Sequence, residues 1–239
     1  MTVIWFAYFA LYLIALSPSL LYAKILTKQG KIEKRNALVR KHAKKLIRRI
    51  SRLAGVTFDI QGLENVPKDR NVVYIANHQG IFDVIALMMV PPEICGFLAK
   101  QELSKIPLAG TWLEYMGCIF VNREKPREAV AALDMAEEKV RNGESFIIFP
   151  EGTRSKNGEV GEFKNGAFRV AKNTGVPIVP VALEGTYKAW EEKKRISPAK
   201  VKVRVLPPIE TEGMTREEYK AIGAKVRELI VNAKPPRED

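Results

Sequence analysis

The chain opens with a run of apolar residues and continues into a basic stretch with helical periodicity. Residues 3–16 are apolar or aromatic throughout, and residues 1–23 carry no charged side chain. Farther on, apolar residues recur at steps of three, four or seven, with Lys and Arg at most of the positions between them: Ile32, Val39, Ala43, Leu46, Ile50 and Leu53. This spacing places one apolar stripe along a helix. Residues 1–54 are therefore predicted to form an apolar helix followed by a basic amphipathic helix.

After Gly55 the pattern changes to short β-rich runs that alternate with helical ones. The predicted strands are residues 56–61, 71–76, 94–99, 118–122, 145–149, 178–183 and 201–206. The predicted helices are residues 82–89, 108–116, 126–141, 165–174 and 215–232. Alternation at this spacing is typical of an α/β sandwich. We predict one α/β domain over residues 55–233 and a disordered tail over residues 234–239.

The positive charge is concentrated in one segment. The 239 residues include 39 Lys and Arg against 27 Asp and Glu, for a net charge of +12. Residues 24–52 contain seven Lys and five Arg against a single acidic residue, Glu33, which leaves residues 53–239 almost neutral. A protein that binds nucleic acid would spread its basic residues over the surface that follows the phosphates. The observed distribution instead favours a membrane with anionic lipids as the partner, and no nucleic acid.

The apolar segment is explained better as a membrane anchor than as a signal peptide. No cationic residues precede it, and Trp5, Tyr8 and Tyr12 are unusual in the apolar core of a signal peptide. Residues 3–23 barely reach across about 30 Å of hydrocarbon, and the polar turn at 17–19 would lie deep inside it. A monotopic anchor is therefore favoured over a single spanning helix. Either arrangement keeps the domain on the cytoplasmic face of the cell membrane, where positive charge is retained.

The cysteines and histidines do not predict a metal site. Cys95 and Cys118 lie among apolar residues, as is typical of reduced thiols that serve as small core residues in a cytoplasmic setting. The only histidines, His42 and His78, are far apart, and no Cys-x-x-Cys motif is present. We therefore predict that the protein uses no metal and no other cofactor.

A possible acid–base pair follows the predicted strand 71–76. His78 and Asp83 have the spacing His-x4-Asp, and a helix that begins near Ile81 would place Asp83 in its first turn. The carboxylate could then fold back to the imidazole, fix its tautomer and stabilise the imidazolium formed when His78 accepts a proton. A structural histidine beside an aspartate at a helix start is the alternative that this spacing leaves open.

A second polar block follows the predicted strand 145–149. Residues 150–155, Pro-Glu-Gly-Thr-Arg-Ser, form a glycine turn whose amides, hydroxyls and Arg154 could hold an anion. Arg123 at the end of strand 118–122 and Lys105 before Pro107 could reach the same pocket. Taken singly, each of these features is equally compatible with an exposed turn or a surface charge.

Four blocks in this order resemble the 1-acyl-sn-glycerol-3-phosphate acyltransferase family, the lysophosphatidic acid acyltransferases. The blocks are residues 77–83, 117–123, 149–155 and 176–181, and Lys100, Gly110 and residues 163–167 also fit. The resemblance covers roughly residues 70–185 and implies a glycerolipid acyltransferase-like αβ sandwich behind the N-terminal two-helix membrane segment. Gly80 departs from the serine often found in the first block, so a hydroxyl is missing there while His78 and Asp83 are kept.

The resemblance also implies a role for each matched residue. His78 would be the general base that takes the proton from the sn-2 hydroxyl of lysophosphatidate as the oxygen attacks an acyl thioester, and Asp83 would orient it. The residues implied in holding the acceptor, chiefly its phosphate, are Lys105, Arg123, Glu151, Gly152, Thr153 and Arg154. The co-substrate would be acyl-coenzyme A or acyl carrier protein, and the product phosphatidate, for phospholipid biosynthesis. No serine or cysteine nucleophile is needed, which favours direct transfer.

Two alternatives stay open at this point. The blocks do not separate acylation of lysophosphatidate from acylation of glycerol 3-phosphate or of another lysolipid. A membrane lipid-binding protein could also keep the scaffold without turnover. The presence of both His78 and Asp83 favours an enzyme, a 1-acylglycerol-3-phosphate O-acyltransferase.

Overall fold

The computed structural model describes residues 1–122, 125–155 and 158–236. Its helices are α1 (Thr2–Ala15), α2 (Ser17–Lys28), α3 (Ile32–Ala54), α4 (Phe82–Leu87), α5 (Ala109–Tyr115), α6 (Pro126–Arg141), α7 (Arg169–Thr174) and α8 (Arg216–Ala233). Its strands are β1 (Val56–Gln61), β2 (Val73–Ala76), β3 (Gly96–Lys100), β4 (Ile119–Val121), β5 (Phe146–Ile148), β6 (Ile178–Glu184) and β7 (Ala199–Val205). The predicted α/β class is confirmed. The helix predicted over 165–174 is divided into a 3-10 turn, Asn165–Phe168, and α7.

The strands of the described residues form one sheet in the order β1-β7-β6-β2-β5-β3-β4. Neighbouring strands are parallel, except that β6 and β7 are antiparallel. Strand β2 therefore lies near the centre, with β6 on one side and β5 on the other, all three in the same direction. Because parallel strands end at the same edge of a sheet, the loops after β2, β5 and β6 emerge together.

Helices cover both faces of this sheet, and the residues of β2 alternate between the two cores. Tyr74 and Ala76 pack in a cluster with side chains from α1, α3 and α4. Val73 and Ile75 pack in a second cluster with side chains from α6, α7 and α8. All four of these β2 residues are buried, which explains why the strand is a continuous apolar run rather than an alternating one.

The N-terminal segment contains three helices where the sequence predicted two. Helices α1 and α2 meet at Leu16 with a bend of 45°. Pro18 lies in the first turn of α2, where its ring lacks the N–H that would continue a helix from α1. In the part of the chain that the structure describes, no single helix has the length and apolar character to cross a membrane, whereas the bent pair meets that test by length and composition.

Helix α1 is also part of the domain core. The Trp5 side chain is buried, and its Nε1 donates to the carbonyl oxygen of Ile50 in α3 at 2.8 Å. Its ring stacks on Phe9 and lies 6.1 Å from Phe82, the first residue of α4. The predicted anchor segment thus shares a hydrophobic cluster with the α/β domain.

Cys95 and Cys118 are free and buried, as the sequence predicted for core residues. Burial raises the pKa of the Cys118 thiol to about 12 and raises that of Cys95 as well. Both side chains therefore remain protonated thiols at neutral pH, because the thiolate would lose its hydration in this core.

Candidate active site

Two of the sequence blocks meet because β2 and β5 are parallel neighbours. Val73 pairs with Phe146, so the loop that holds His78 and the loop 150–155 leave the sheet side by side. The backbone N–H of His78 donates to Glu151 Oε1 at 2.7 Å, and the N–H of Ser155 donates to the carbonyl of His78 at 2.8 Å. The backbone of His78 is thus held on both sides by the neighbouring loop.

Asn77 fixes the same loop to β6 on the other side. Its side-chain Nδ2 donates to the Leu183 carbonyl at 3.0 Å, and its Oδ1 accepts from the Leu183 N–H at 2.8 Å. The amide group therefore takes the place of a backbone partner for β6 just beyond the end of β2. This contact explains an asparagine immediately before His78.

His78 and Asp83 form the contact that their spacing predicted. Asp83 lies in the first turn of α4, and its Oδ2 is 2.7 Å from Nδ1 of His78. The same oxygen accepts from the backbone N–H groups of Gln79 at 2.5 Å and Gly80 at 2.7 Å. A carboxylate can only accept these bonds, so Nδ1 holds the imidazole hydrogen and Nε2 has the lone pair that can accept a proton.

Burial keeps this pair in one arrangement. Asp83 is fully buried and His78 is 6% exposed. The imidazole stacks on Phe149 with ring centroids 4.1 Å apart and planes inclined by 22°. A ring held by stacking, by a carboxylate and by its own backbone contacts has little freedom to rotate, as a general base requires.

Glu151 lies behind His78 rather than in the cleft. Its two carboxylate oxygens accept from the backbone N–H groups of His78 and Gly161, the latter at 3.1 Å. Burial raises the pKa of the Glu151 carboxyl, while these two hydrogen bonds act in the opposite direction. The contacts suit a residue that positions His78, and direct contact of Glu151 with an acceptor stays a prediction.

Arg154 is held by a carboxylate that the sequence analysis did not identify. Its Nη1 is 3.3 Å from Oε1 of Glu191, which also accepts from the Ile81 N–H at 2.9 Å. A Cβ added to Gly80 would lie 2.2 Å from Oε2 of Glu191, so this carboxylate occupies the space that a side chain at position 80 would need. Burial raises the pKa of Glu191, and the Ile81 hydrogen bond and the Arg154 charge partly offset that rise.

The dyad opens into a cleft of about 900 Å³ with a polar and an apolar part. The polar part includes His78, Gly152, Thr153, Arg154, Lys100 and Lys164. The apolar part is lined from five elements by Trp5, Phe9, Ile50, Ile85, Phe97 and Leu113. A site of this kind can hold an amphiphile, with its anionic group near the cations and its apolar chain along the other wall.

The structure brings together most of the residues that the sequence selected. Gly152, Thr153 and Arg154 line the cleft with His78. Lys105 is exposed at the end of the 3-10 turn Gln101–Lys105 and does not line the cleft, so its role in binding stays a prediction. Arg123 lies outside the described residues, although the residue before it, Asn122, lines the cleft.

Sequence reasoning gave no role in the cleft to Trp5, Phe9, Lys100 or Lys164. Trp5 and Phe9 were assigned to an anchor, and Lys164 was noted only as part of a matching segment. The available signal for α1 was its cluster of aromatic residues in an otherwise aliphatic segment. A tryptophan in a core usually finds a hydrogen-bond partner for its N–H, as Trp5 does with the carbonyl of Ile50. No local signal points to Glu191, which reaches the site through long-range packing.

The chemistry of the cleft is that of a proton acceptor beside cationic side chains. Over residues 1–122, 125–155 and 158–236, no three His, Cys, Asp or Glu side chains converge closely enough to hold a metal ion. The available groups are the Nε2 lone pair of His78, the hydroxyl of Thr153 and the cationic ends of Arg154, Lys100 and Lys164. Together they suit base-assisted attack by a hydroxyl on a substrate that carries a negative group.

Comparison with known proteins identifies the class to which this fold and site belong. The family model described as "Acyltransferase" matches residues 57–184. The crystal structure of the 1-acyl-sn-glycerophosphate (LPA) acyltransferase PlsC from Thermotoga maritima is similar, with a TM-score of 0.75, 31% identity and 96% of each chain covered. The chain belongs to the acyltransferase family.

Curated relatives place the chain more narrowly. It is 33% identical over 182 residues to 1-acyl-sn-glycerol-3-phosphate acyltransferase alpha of Mus musculus, covering 75% of this chain and 64% of the relative. It is 44% identical over 131 residues to the chloroplastic acyltransferase BAT2 of Brassica napus, covering 54% of this chain and 38% of that relative. The resemblance to 1-acyl-sn-glycerol-3-phosphate acyltransferases is therefore confirmed, while the chain spans less than two thirds of these two relatives.

Proposed function

We propose that this protein transfers an acyl chain from an acyl thioester to the sn-2 hydroxyl of 1-acyl-glycerol 3-phosphate, giving phosphatidate. The observation that carries the proposal is the buried contact between His78 Nδ1 and Asp83 Oδ2, 2.7 Å long, at the polar end of the cleft. The printed names of the relatives, 1-acyl-sn-glycerol-3-phosphate acyltransferases, support this choice of acceptor.

His78 acts as the general base in the proposed reaction. Its Nε2 takes the hydrogen of the acceptor hydroxyl while that oxygen forms a bond to the thioester carbonyl carbon. Asp83 stabilises the imidazolium that results, because its carboxylate is already in contact with Nδ1. The tetrahedral intermediate then expels the thiolate, which takes the proton from His78, so the base is restored without a covalent acyl-enzyme.

The acceptor phosphate binds beside Arg154 in this proposal. The guanidinium group lines the cleft together with Thr153 and Gly152, and a planar guanidinium can donate two parallel hydrogen bonds to a phosphate. One of its nitrogens lies 3.3 Å from Oε1 of Glu191. Lys164 lies beside Gly152, and Lys100 also lines the cleft, where it pairs with Glu102 at 3.0 Å.

The apolar part of the cleft holds acyl chain. It is bounded by Trp5 and Phe9 of α1, by Ile50 of α3 and by residues of α4, β3 and α5. Both substrates carry an acyl chain, and burying each methylene contributes about 0.8 kcal/mol. Helix α1 would therefore serve both as part of the binding site and as part of the membrane contact.

We place the enzyme on the cytoplasmic face of the membrane, with α1 and α2 in one leaflet. Their outer surface is apolar: Val3 is 81% exposed, and Ile4, Leu11, Ile14 and Leu21 are also exposed. The solvent-facing side of α3 forms a cationic groove lined by Lys41, Lys44, Lys45, Arg48, Arg49 and Arg52. An apolar wedge beside a basic helix is the combination by which monotopic proteins hold anionic membranes.

The decisive experiment compares two histidine variants. His78→Ala is expected to lower kcat by roughly 10²–10⁴-fold, the usual range for loss of a general base. His42→Ala, at the other histidine of the chain, is the matched control and is expected to keep kcat. Release of free thiol and formation of phosphatidate are measured together, with acyl-coenzyme A and acyl carrier protein as donors. Near-normal turnover by a folded His78→Ala protein would overturn the mechanism.

A panel of acceptors in the same assay tests the substrate assignment. Lysophosphatidate is expected to be used better than glycerol 3-phosphate and better than lysolipids that lack a terminal phosphate. Preference for another acceptor would be compatible with the proposed roles of His78 and Asp83 and would change only the assignment of the acceptor. Absence of thiol release with every acceptor would favour the alternative of a lipid-binding protein without turnover.

A further inference from the structure

Asp83 makes a contact on its second oxygen that extends the dyad away from the cleft. Three donors converge on Oδ2, whereas Oδ1 accepts a hydrogen bond from the hydroxyl of Thr186. Asp83 and Thr186 are both fully buried. Thr186 begins the 3-10 turn that follows β6, so the parallel pairing of β6 with β2 brings it beside α4. Residue 186 lies beyond the segment that the family model matches.

Gln79 continues this chain of polar groups. Its Nε2 is 3.2 Å from Oε2 of Glu184 and 3.3 Å from the carbonyl of Gly158, and both of these are acceptors. That arrangement fixes the orientation of the amide, so its Oε1 faces the Thr186 hydroxyl at 3.0 Å. A hydroxyl has one hydrogen to donate, and the carboxylate of Asp83 is a stronger acceptor than an amide oxygen.

Lys234, near the C-terminus, is the last member of this series of polar groups. Its Nζ is 2.8 Å from Oε2 of Glu184 and 2.8 Å from the carbonyl of Gly158. Its side chain is 13% exposed and that of Glu184 is 5% exposed. Lys234 follows α8 directly, in the segment for which the sequence predicted disorder.

We propose that Thr186 is a positioning residue for Asp83, and that Glu184 and Lys234 hold Gln79, whose backbone N–H donates to Oδ2 of the same carboxylate. This inference rests on the proposed role of His78 and Asp83. The Thr186 hydroxyl stabilises the ionised carboxylate and fixes its rotation, so that Oδ2 stays aligned with the imidazole. Lys234 contacts the carboxylate of Glu184, which accepts from the side-chain amide of Gln79 and so fixes the loop whose backbone N–H donates to Asp83.

Substitutions at Thr186 test the first step. Thr186→Val keeps the shape and removes the donor, and we expect kcat to fall roughly 10- to 100-fold with little change in the KM of either substrate. Thr186→Ser restores the hydroxyl and should recover most of the activity. Thr211→Val is the matched control, because the Thr211 hydroxyl is also buried but donates to backbone carbonyls of Ala171 and Val176. This control should lower stability and leave kcat per folded protein unchanged.

Lys234 variants test the contact at the far end of this series of polar groups. Lys234→Met should lower kcat by roughly 3- to 30-fold, and Lys234→Arg should keep most of it. Lys139→Met is the control, since Lys139 pairs with Glu144 away from the cleft lining. Wild-type kcat in Lys234→Met would overturn the part of the proposal that concerns Lys234.

A spectroscopic measurement separates this inference from the choice of substrate. The chain has two histidines, so the Nδ1–H proton of His78 can be assigned by NMR in the 239-residue chain. A proton shared with a carboxylate at 2.7 Å resonates far downfield. Thr186→Val should shift this resonance, and Thr186→Ser and Thr211→Val should leave it in place. An unchanged resonance in Thr186→Val, or equal loss of kcat in Thr186→Val and Thr211→Val, would overturn the proposal even if another acceptor proves to be the substrate.

Discussion

Replacing Asp83 with Asn removes one charge while the hydrogen bonds of the dyad remain satisfiable. The donors that meet Oδ2, from His78, Gln79 and Gly80, suit an amide oxygen equally well. An amide nitrogen at the Oδ1 position can donate to the Thr186 hydroxyl, which then turns its hydrogen to the side-chain oxygen of Gln79, 3.0 Å away. We therefore expect Asp83→Asn to fold and His78 to keep its hydrogen on Nδ1.

The lost activity then measures the charge on Asp83. Two unit charges at the observed 2.7 Å interact by about 6 kcal/mol at an effective dielectric constant of about 20. The imidazolium spreads its charge over the ring, and the proton is only partly transferred in the transition state, so about half of that energy is at stake. A loss of about 3 kcal/mol corresponds to a fall in kcat of roughly 10²-fold.

The comparison that isolates this effect uses Asp83→Ala. Alanine removes the charge and also leaves the imidazole without a partner, so kcat should fall at least about 10-fold further. Asp59→Asn is the control, because Asp59 lies on the outer strand β1, pairs with Arg204 of β7 and does not line the cleft. Steady-state thiol release gives kcat, and circular dichroism with thermal melting confirms folding.

Two outcomes would refute this reasoning. An Asp83→Asn protein that is as inactive as Asp83→Ala would show that the orientation of His78, and not only the charge beside it, was lost. An Asp83→Asn protein with wild-type kcat would show that no imidazolium forms against this carboxylate in the rate-limiting step.

Three further predictions follow from the cleft and the N-terminal helices. Arg154→Ala should raise the KM for lysophosphatidate roughly 10- to 100-fold with little change in the KM for the thioester, and Arg154→Lys should reverse only part of that rise. Steady-state kinetics on both substrates measure the two KM values. A rise confined to the thioester KM would assign Arg154 to the thioester instead. Replacing five basic residues of α3 with Gln should reduce flotation with anionic vesicles at low salt; these residues are Lys41, Lys44, Lys45, Arg48 and Arg49. Serine at Val3, Leu11 and Leu21 should reduce flotation with neutral vesicles as well. Unchanged flotation of the α3 variant would show that α3 is merely solvated. Because burial raises the pKa of Glu191, the folded state holds this proton more tightly than the unfolded chain, and stability from this group is lost as pH rises through the raised pKa. In urea unfolding between pH 4 and 8, the free energy of unfolding should therefore decline less steeply with pH for Glu191→Gln than for wild type, by at most about 1.4 kcal/mol per pH unit. The control Glu192→Gln, at an exposed residue, should have the wild-type slope. Equal slopes in all three proteins would contradict the raised pKa of Glu191.

Local patterns in the sequence determined most of the secondary structure. Strand β2 was predictable because it is buried on both faces and is therefore a short, continuous apolar run. The contact between His78 and Asp83 was predictable for a similar reason, since both residues lie within one turn between a strand and a helix. The bend between α1 and α2 has a local cause as well, in Pro18, although the apolar run by itself predicts a single helix.

Long-range packing decided the surroundings of this pair. Glu151 and Glu191 belong to other segments, and only the strand order brings their carboxylates to the backbone of His78 and to Arg154. Lys105 was selected because its place before Pro107 could bring it to the predicted pocket and because it matches a family position, yet it lies at the end of the turn Gln101–Lys105 and does not line the cleft.

The largest difference concerns the two ends of the chain. The sequence alone determined that residues 1–54 are apolar and then basic, and that the last residues are polar. It did not determine that Trp5 would be buried against Ile50 and line the cleft, or that Lys234 would pair with Glu184 behind Asp83. Periodicity reports which face of an element is buried, whereas the partner of that face depends on how distant elements pack, and that is decided only in the tertiary structure.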